Sequence, residues 1–281
     1  MSLRRHCRAM ALIAVLWLVA ALSLIVTGLL QSVRMEARSI GQERVLVAAA
    51  ALGESAIQRA LQALVAAGKP VDRLLSEQIT QASTVISVQA MPLNGYIDLN
   101  HAPVELLAQM FQTAAGLAPE AARTLAQAIV EQRAAPMAGG SPDLFESPED
   151  LLRLPGLDYP VYARVAPLLT TDIQGSGRVN PLAAPLPVLR VLAQGNDAAV
   201  AHYATARAQT QESADTSAMN TAWLETVDVP ALELTALVPL PDSQVARIVR
   251  RFFIGTRRDD GLPWRAFFTA SFLDIPLASG Q

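Results

Sequence analysis

Cysteine and lysine are almost missing from this chain: among 281 residues there is one of each, Cys7 and Lys69. Cys7 precedes a long apolar run, so everything after that run lacks thiols. Neither a disulfide nor a cysteine metal site is available there, and stability has to come from packing. Histidine is scarce too, at positions 6, 101 and 202, and no pair has the spacing of a metal site or a triad. With a net charge of −3 and a pI near 5.7, the chain lacks the cationic footprint that binding to polyphosphate requires.

In place of these, the chain carries an uncharged apolar run from Ala9 to Val33, directly behind the basic head Met1–Arg8. As a helix it measures about 37 Å, enough to cross a hydrocarbon core of about 30 Å. Arg4, Arg5 and Arg8 precede it, so the positive-inside rule keeps Met1 in the cytoplasm and exports the residues after Val33. A cleaved secretory signal has a shorter apolar core, about 7–15 residues. The run therefore reads as an uncleaved single-pass anchor. Helix-compatible sequence continues to about Ala67. There Val45, Leu46, Leu52, Ile57, Leu61, Leu64 and Val65 fall close to a 3.6-residue stripe, and Gly68-Lys-Pro70 stops the helix.

Beyond it, Val71 to about Ala82 reads as a short helix and Thr84–Ala90, alternating and β-branched, as a strand. Two segments then resemble each other, one running from Gly95 to Leu107 and one from Gly177 to Leu189. They match at the glycine, at a β-branched residue, at Asp98/Asn180 and at Ala-Pro, and each feeds a helix. Phe145–Leu157 repeats the second half of the pattern, with Ser147 as N-cap and Pro148 in the first turn. Ala118–Arg133 is a clear helix, Pro136–Pro142 a loop and Gln209–Asn220 a polar linker. Strands are expected at Val229–Val238, Gln244–Ile254 and Trp264–Phe272, with Arg257–Gly261 as a hairpin turn. A strand, a helical block and more strands make an α+β chain in which an all-α helical insertion interrupts an antiparallel sheet.

The basic leader, the apolar helix beginning Met10-Ala-Leu-Ile-Ala-Val-Leu-Trp17, the segment Gly95–Pro103, the Leu154-Pro-Gly-Leu157 element, the second Gly-x-Val-Asn segment and the terminal β-meander together resemble the large minor pseudopilin, the K protein, of bacterial type II secretion (the general secretion pathway protein K family). The resemblance implies a pilin-like fold, a long N-terminal helix on an antiparallel sheet. Residues 1–9 would be the cytoplasmic leader and 10–33 the transmembrane part of the helix. Residues 34–94 would start the pilin-like domain, 95–222 form the inserted helical domain and 223–281 supply the remaining strands. It further implies a non-enzymatic tip subunit in the inner membrane, its bulk periplasmic, with no cofactor. Its partners would be the I- and J-type minor pseudopilins, the major pseudopilin, the inner-membrane assembly platform and prepilin peptidase. Cleavage would fall between Ala9 and Met10, leaving Met10 as a methylatable terminus; such leaders usually end in glycine, and alanine stands there instead. The fifth mature residue, glutamate in most pilins, is Ala14, which suits a first subunit at the tip. A minor pilin of a type IV pilus is the neighbouring reading.

The remaining chemistry is thin. Leu154–Tyr159 invites a membrane-anchored helix-hairpin-helix DNA-binding reading, but acids surround it and the usual Gly-x-Gly with a following lysine is missing. The resemblance makes Asp143, Glu146, Glu149 and Asp150 candidates for calcium, yet their spacing is not that of an EF-hand, and solvated acids at a helix start is the preferred reading. His101 and His202 read as capping or surface residues. Arg247, Arg250, Arg251, Arg257 and Arg258 read as a solvated strand edge.

Overall fold

The computed structural model of the chain describes Trp17, Leu22, Ser23 and Val26, and residues 43–274 except 82, 136–143, 174, 210–213 and 256–260. The four isolated residues are helical; the rest of the apolar run, with Ala9, Met10 and Ala14, lies outside the described residues. Among the described residues no helix is long and apolar enough to cross a membrane. The chain divides into two compact units, Met1–Leu52 and Gly53–Gln281.

Helix α1 occupies residues 43–67, its first ten residues in the first unit. In that unit Val45 and Leu46 are exposed, although their periodicity placed them on the apolar stripe. In the second unit the stripe is real: Gly53, Ala56, Ile57, Ala60 and Leu61 are buried, at the i, i+3, i+4 spacing of one helix face. That face lies on a sheet. A Cβ on Gly53 would stand 2.7 Å from Ile248 Cδ1, so glycine lets the helix backbone approach this closely.

The sheet has five antiparallel strands in the order β1 (Leu75–Gln81), β2 (Thr84–Pro92), β5 (Ala231–Pro239), β6 (Val245–Ile254) and β7 (Trp264–Asp274). The helix-facing positions Ile86, Val88, Ala90, Leu232, Leu234, Ala236, Val238, Ala246, Ile248 and Phe252 are all buried, the period-2 burial of a covered sheet face. Strand β1 corrects the expected helix at Val71–Ala82. Only Ile79 of that strand is buried, and the segment Leu-Ser-Glu-Gln-Ile-Thr has ample helix propensity. The ladder from Leu75↔Ala90 to Gln81↔Thr84 overrides that propensity, because the turn at Ser83 (φ 65°) brings a strong strand alongside. Of the expected hairpin turn between β6 and β7, residues 256–260 lie outside the described residues.

Strands β2 and β5 are neighbours, paired from Ser87↔Leu237 to Pro92↔Leu232, and the chain between them forms the helical part of the second unit. It holds α2 (Val104–Ala115), α3 (Pro119–Ala134), α4 (Tyr159–Val165), α5 (Leu186–Leu192) and α6 (Asp197–Gln209). Pro148–Arg153 is a 3₁₀ turn rather than an α-helix. The insertion is not purely helical, since β3 (Ile97–Asp98) and β4 (Leu169–Thr170) make a short parallel pair inside it. Its core is its own, built around Leu106, Phe111, Ile129, Val188 and Trp223.

Candidate functional site

The two sequence segments that resemble each other fold alike and lock together. In the first, Asp98 Oδ1 accepts the Asn100 N–H at 2.9 Å, and the Ala102 N–H donates to the Asp98 carbonyl at 2.8 Å. In the second, Asn180 Oδ1 accepts the Leu182 N–H at 3.0 Å, and the Ala184 N–H donates to the Asn180 carbonyl at 3.0 Å. Each is an Asx turn that aims the chain into a helix whose first turn begins at a proline carbonyl. The residue two after each glycine joins a short parallel pairing, Ile97 with Leu169 and Val179 with Leu224.

The glycines explain the interlock. A Cβ on Gly95 would sit 2.8 Å from the Ala183 carbonyl carbon and oxygen. A Cβ on Gly177 would overlap the His101 carbonyl and stand 2.8 Å from the Ala102 nitrogen, and Gly177 is left-handed (φ 77°). Each glycine therefore touches the sixth residue after the other. The second helix of each repeat returns an arginine to the turn that began it. Arg133 donates to the carbonyls of Leu99 (3.1 Å) and Ala102 (2.8 Å). Arg207 donates to those of Pro181 (2.9 Å) and Ala184 (2.7 Å), the equivalent positions. Burial pushes both guanidinium pKa values down, Asp98 opposing it at Arg133 and Tyr203 at Arg207. The two turns are visible in the sequence; the returning arginines, separated from them by loops of different length, are not.

Where the repeats differ is electrostatic. Asp98 is a fully buried carboxylate beside His101 Nδ1 at 2.6 Å, whereas Asn180 is neutral. Burial raises the Asp98 pKa, with His101 and the Asn100 N–H opposing it. His101 thus serves as a partner to a buried acid at the helix entrance. His202 is exposed on α6.

A second cluster joins the insertion to the sheet. Arg251 donates from Nε to Glu233 (2.9 Å) and from a terminal nitrogen to Asp172 (2.8 Å), and Tyr96 Oη donates to the other Glu233 oxygen at 2.9 Å. Tyr96 opens the insertion and Asp172 follows β4, while Glu233 and Arg251 are register partners in β5 and β6. Burial, then the Glu233 charge, pushes the Tyr96 phenol far above its usual range. Burial acts against the Arg251 charge, but Glu233 outweighs it and the pKa rises. Arg251 and Arg247 also stack on Phe268 and Phe272, 4.8 and 4.6 Å from the ring centroids. Arg250 pairs with Glu54 of α1 at 2.7 Å. These arginines correct the expectation of a solvated strand edge: the Arg250 and Arg251 side chains are 16% and 14% exposed. The missed signal was Glu233, a lone acid in the apolar strand Ala-Leu-Glu-Leu-Thr. Arg257 and Arg258 lie outside the described residues.

Asp150 Oδ2 accepts the N–H groups of Glu146 (2.9 Å) and Ser147 (3.1 Å), and Oδ1 pairs with Arg153 (3.0 Å), so the side chain closes the turn that starts at Ser147. Asp143 lies outside the described residues. Among the described residues no three His, Cys, Asp or Glu side chains are placed to hold a metal ion.

No protein-family model matches the sequence, and no characterised protein matches it. Among solved structures the chain is similar to one in the crystal structure of the GspK-GspI-GspJ complex from the enterotoxigenic Escherichia coli type 2 secretion system. The two share 12% identity over 84% of this chain and 99% of that one, with a TM-score of 0.49. A likeness at that level assigns nothing to this chain.

Proposed function

We propose that the chain is a non-enzymatic structural subunit at the tip of a type II secretion pseudopilus, needed for its assembly and for protein export. The observation that carries this reading is one architecture in three parts. An apolar run after a basic head leads toward a helix, that helix covers one sheet face, and a separately cored helical block enters and leaves between neighbouring strands. A block of this bulk beside the sheet is awkward inside a closely packed helical filament but not at its end. The run Ala9–Val33 would hold the subunit in the inner membrane and then join the filament core, with the rest periplasmic. The I- and J-type minor pseudopilins, the major pseudopilin and the assembly platform are the proposed partners, and prepilin peptidase the processing enzyme. Ala14 would leave the terminal amine of a preceding subunit unneutralised, which suits the first position.

Deleting the gene in its bacterium is expected to stop export of folded periplasmic enzymes while surface pili persist. Intact export with lost pili would assign the chain to a type IV pilus instead. Mass spectrometry of the membrane-extracted protein is expected to find Met10 as the terminus, and intact Met1 in a peptidase-positive strain would refute the processing.

A further inference from the structure

Within the insertion, α2, α3 and the chain just after α5 line an open groove of about 410 Å³, in which Glu105, Arg123, Gln127 and Gln194 are exposed. Four glutamines converge there, Gln109, Gln112, Gln127 and Gln194, beside apolar lining that includes Ala108 and the buried indole of Trp223. The volume lies within the range of about 300–1,000 Å³ typical of small-molecule clefts. Glu105 and Arg123 also line it, one charge of each sign, so the groove favours neither an anion nor a cation.

Gln194 holds its place at the end of α5. Its backbone is left-handed (φ 52°), directly before left-handed Gly195 (φ 84°). In the first repeat the corresponding helix end is made by Gly116 (φ 71°). The conformation closes α5: the Gln194 N–H donates to the Val191 carbonyl at 3.0 Å and the Gly195 N–H to the Arg190 carbonyl at 2.8 Å, and glycine or asparagine would take it more easily than glutamine. The helix end thus fixes the Gln194 backbone, and its side chain lines the groove.

We infer that this groove binds a neutral saccharide unit. A primary carboxamide presents a carbonyl acceptor beside an NH₂ donor, the complement of vicinal hydroxyl groups, which each donate and accept. Gln109 already donates to Thr113 Oγ1 at 2.7 Å, which orients it and leaves its carbonyl and one N–H for a ligand. The apolar lining meets the C–H face of a sugar ring. The inference goes beyond the proposed assembly role and does not depend on it.

The test uses the full-length chain in a detergent without a sugar headgroup, titrated by calorimetry with triacetylchitotriose, maltotriose, triglycine and a sulfated disaccharide. At least one neutral trisaccharide is expected to bind saturably, with triglycine and the sulfated sugar far weaker. Gln194→Gly is expected to lose about tenfold in affinity while Tm holds or rises, because glycine relieves the left-handed strain. Gln127→Ala, on an exposed helix face, is expected to weaken binding too. The inference fails if neither neutral sugar saturates, if triglycine or the sulfated sugar binds as tightly, if Gln194→Gly binds like the wild type, or if it lowers Tm.

Discussion

The reciprocal glycine contacts yield a three-way prediction in which conformational strain and steric overlap separate. Gly116→Ala adds a methyl group to a left-handed residue with no atom within 4 Å of the new Cβ. It carries the left-handed penalty alone, about 1–2 kcal/mol. Gly95→Ala has no such penalty, but its Cβ meets the Ala183 carbonyl at 2.8 Å. That contact is backbone, which cannot rotate away, so a cost of about 1–3 kcal/mol follows. Gly177→Ala combines both: φ is 77°, and the Cβ overlaps the His101 carbonyl at the entrance to α2. Its cost should exceed about 4 kcal/mol, which is exceptional for one methyl group. For a chain of this size each kcal/mol moves Tm by roughly 2–4 °C. Melting followed by circular dichroism should then show drops of a few degrees for Gly116→Ala and Gly95→Ala. Gly177→Ala should lose more than about 10 °C or fail to fold. A Gly177→Ala protein that melts no lower than Gly116→Ala would refute the interlock, as would a Gly95→Ala protein that melts like the wild type.

The buried charges give three further expected outcomes. Arg251→Met strands Glu233, and chemical denaturation should register a loss of about 3 kcal/mol; adding Glu233→Gln to that variant should restore part of it. Because burial raises the Asp98 pKa in the folded chain, the native state holds its proton to higher pH than the unfolded state does. Stability should therefore rise as pH falls through the folded pKa toward the unfolded value near 3.9. Asp98→Asn, which copies Asn180 of the second repeat, should remove that component from the Tm-versus-pH curve without disrupting the turn. Arg133→Met and Arg207→Met each leave turn carbonyls without their charged donor, and each should lower stability by about 2 kcal/mol in urea titrations.

Much of this fold was legible because its signals are local. The alternation of Thr84–Ala90, the apolar pattern of Ala118–Arg133 and the doubled Gly…Asp/Asn…Ala-Pro turn depend on neighbours only a few residues away. The parts that were not legible depend on partners far along the chain. Strand β1 has helical propensity and becomes a strand only beside β2. Arg250 and Arg251 look like solvent charges until Glu54, Asp172 and Glu233, distant in sequence, are brought to them. The glutamine groove was invisible for the same reason, since its lining comes from α2, α3, the chain just after α5 and a turn at Trp223.

The pairing of Pro92 with Leu232 has a kinetic side. To form the β2–β5 ladder, an unfolded chain must close a loop of roughly 140 residues, about 3 kcal/mol costlier in entropy than closing a short hairpin. The insertion has its own core and can order first, and its interlocked repeats hold the residues after Gly95 against those after Gly177. Once they are locked, most of that loop is no longer chain to be searched but a rigid bracket that shortens the route from Pro92 to Leu232. The helical block would then act as the timer of sheet formation: substitutions within it should slow closure of a sheet whose strands they never touch.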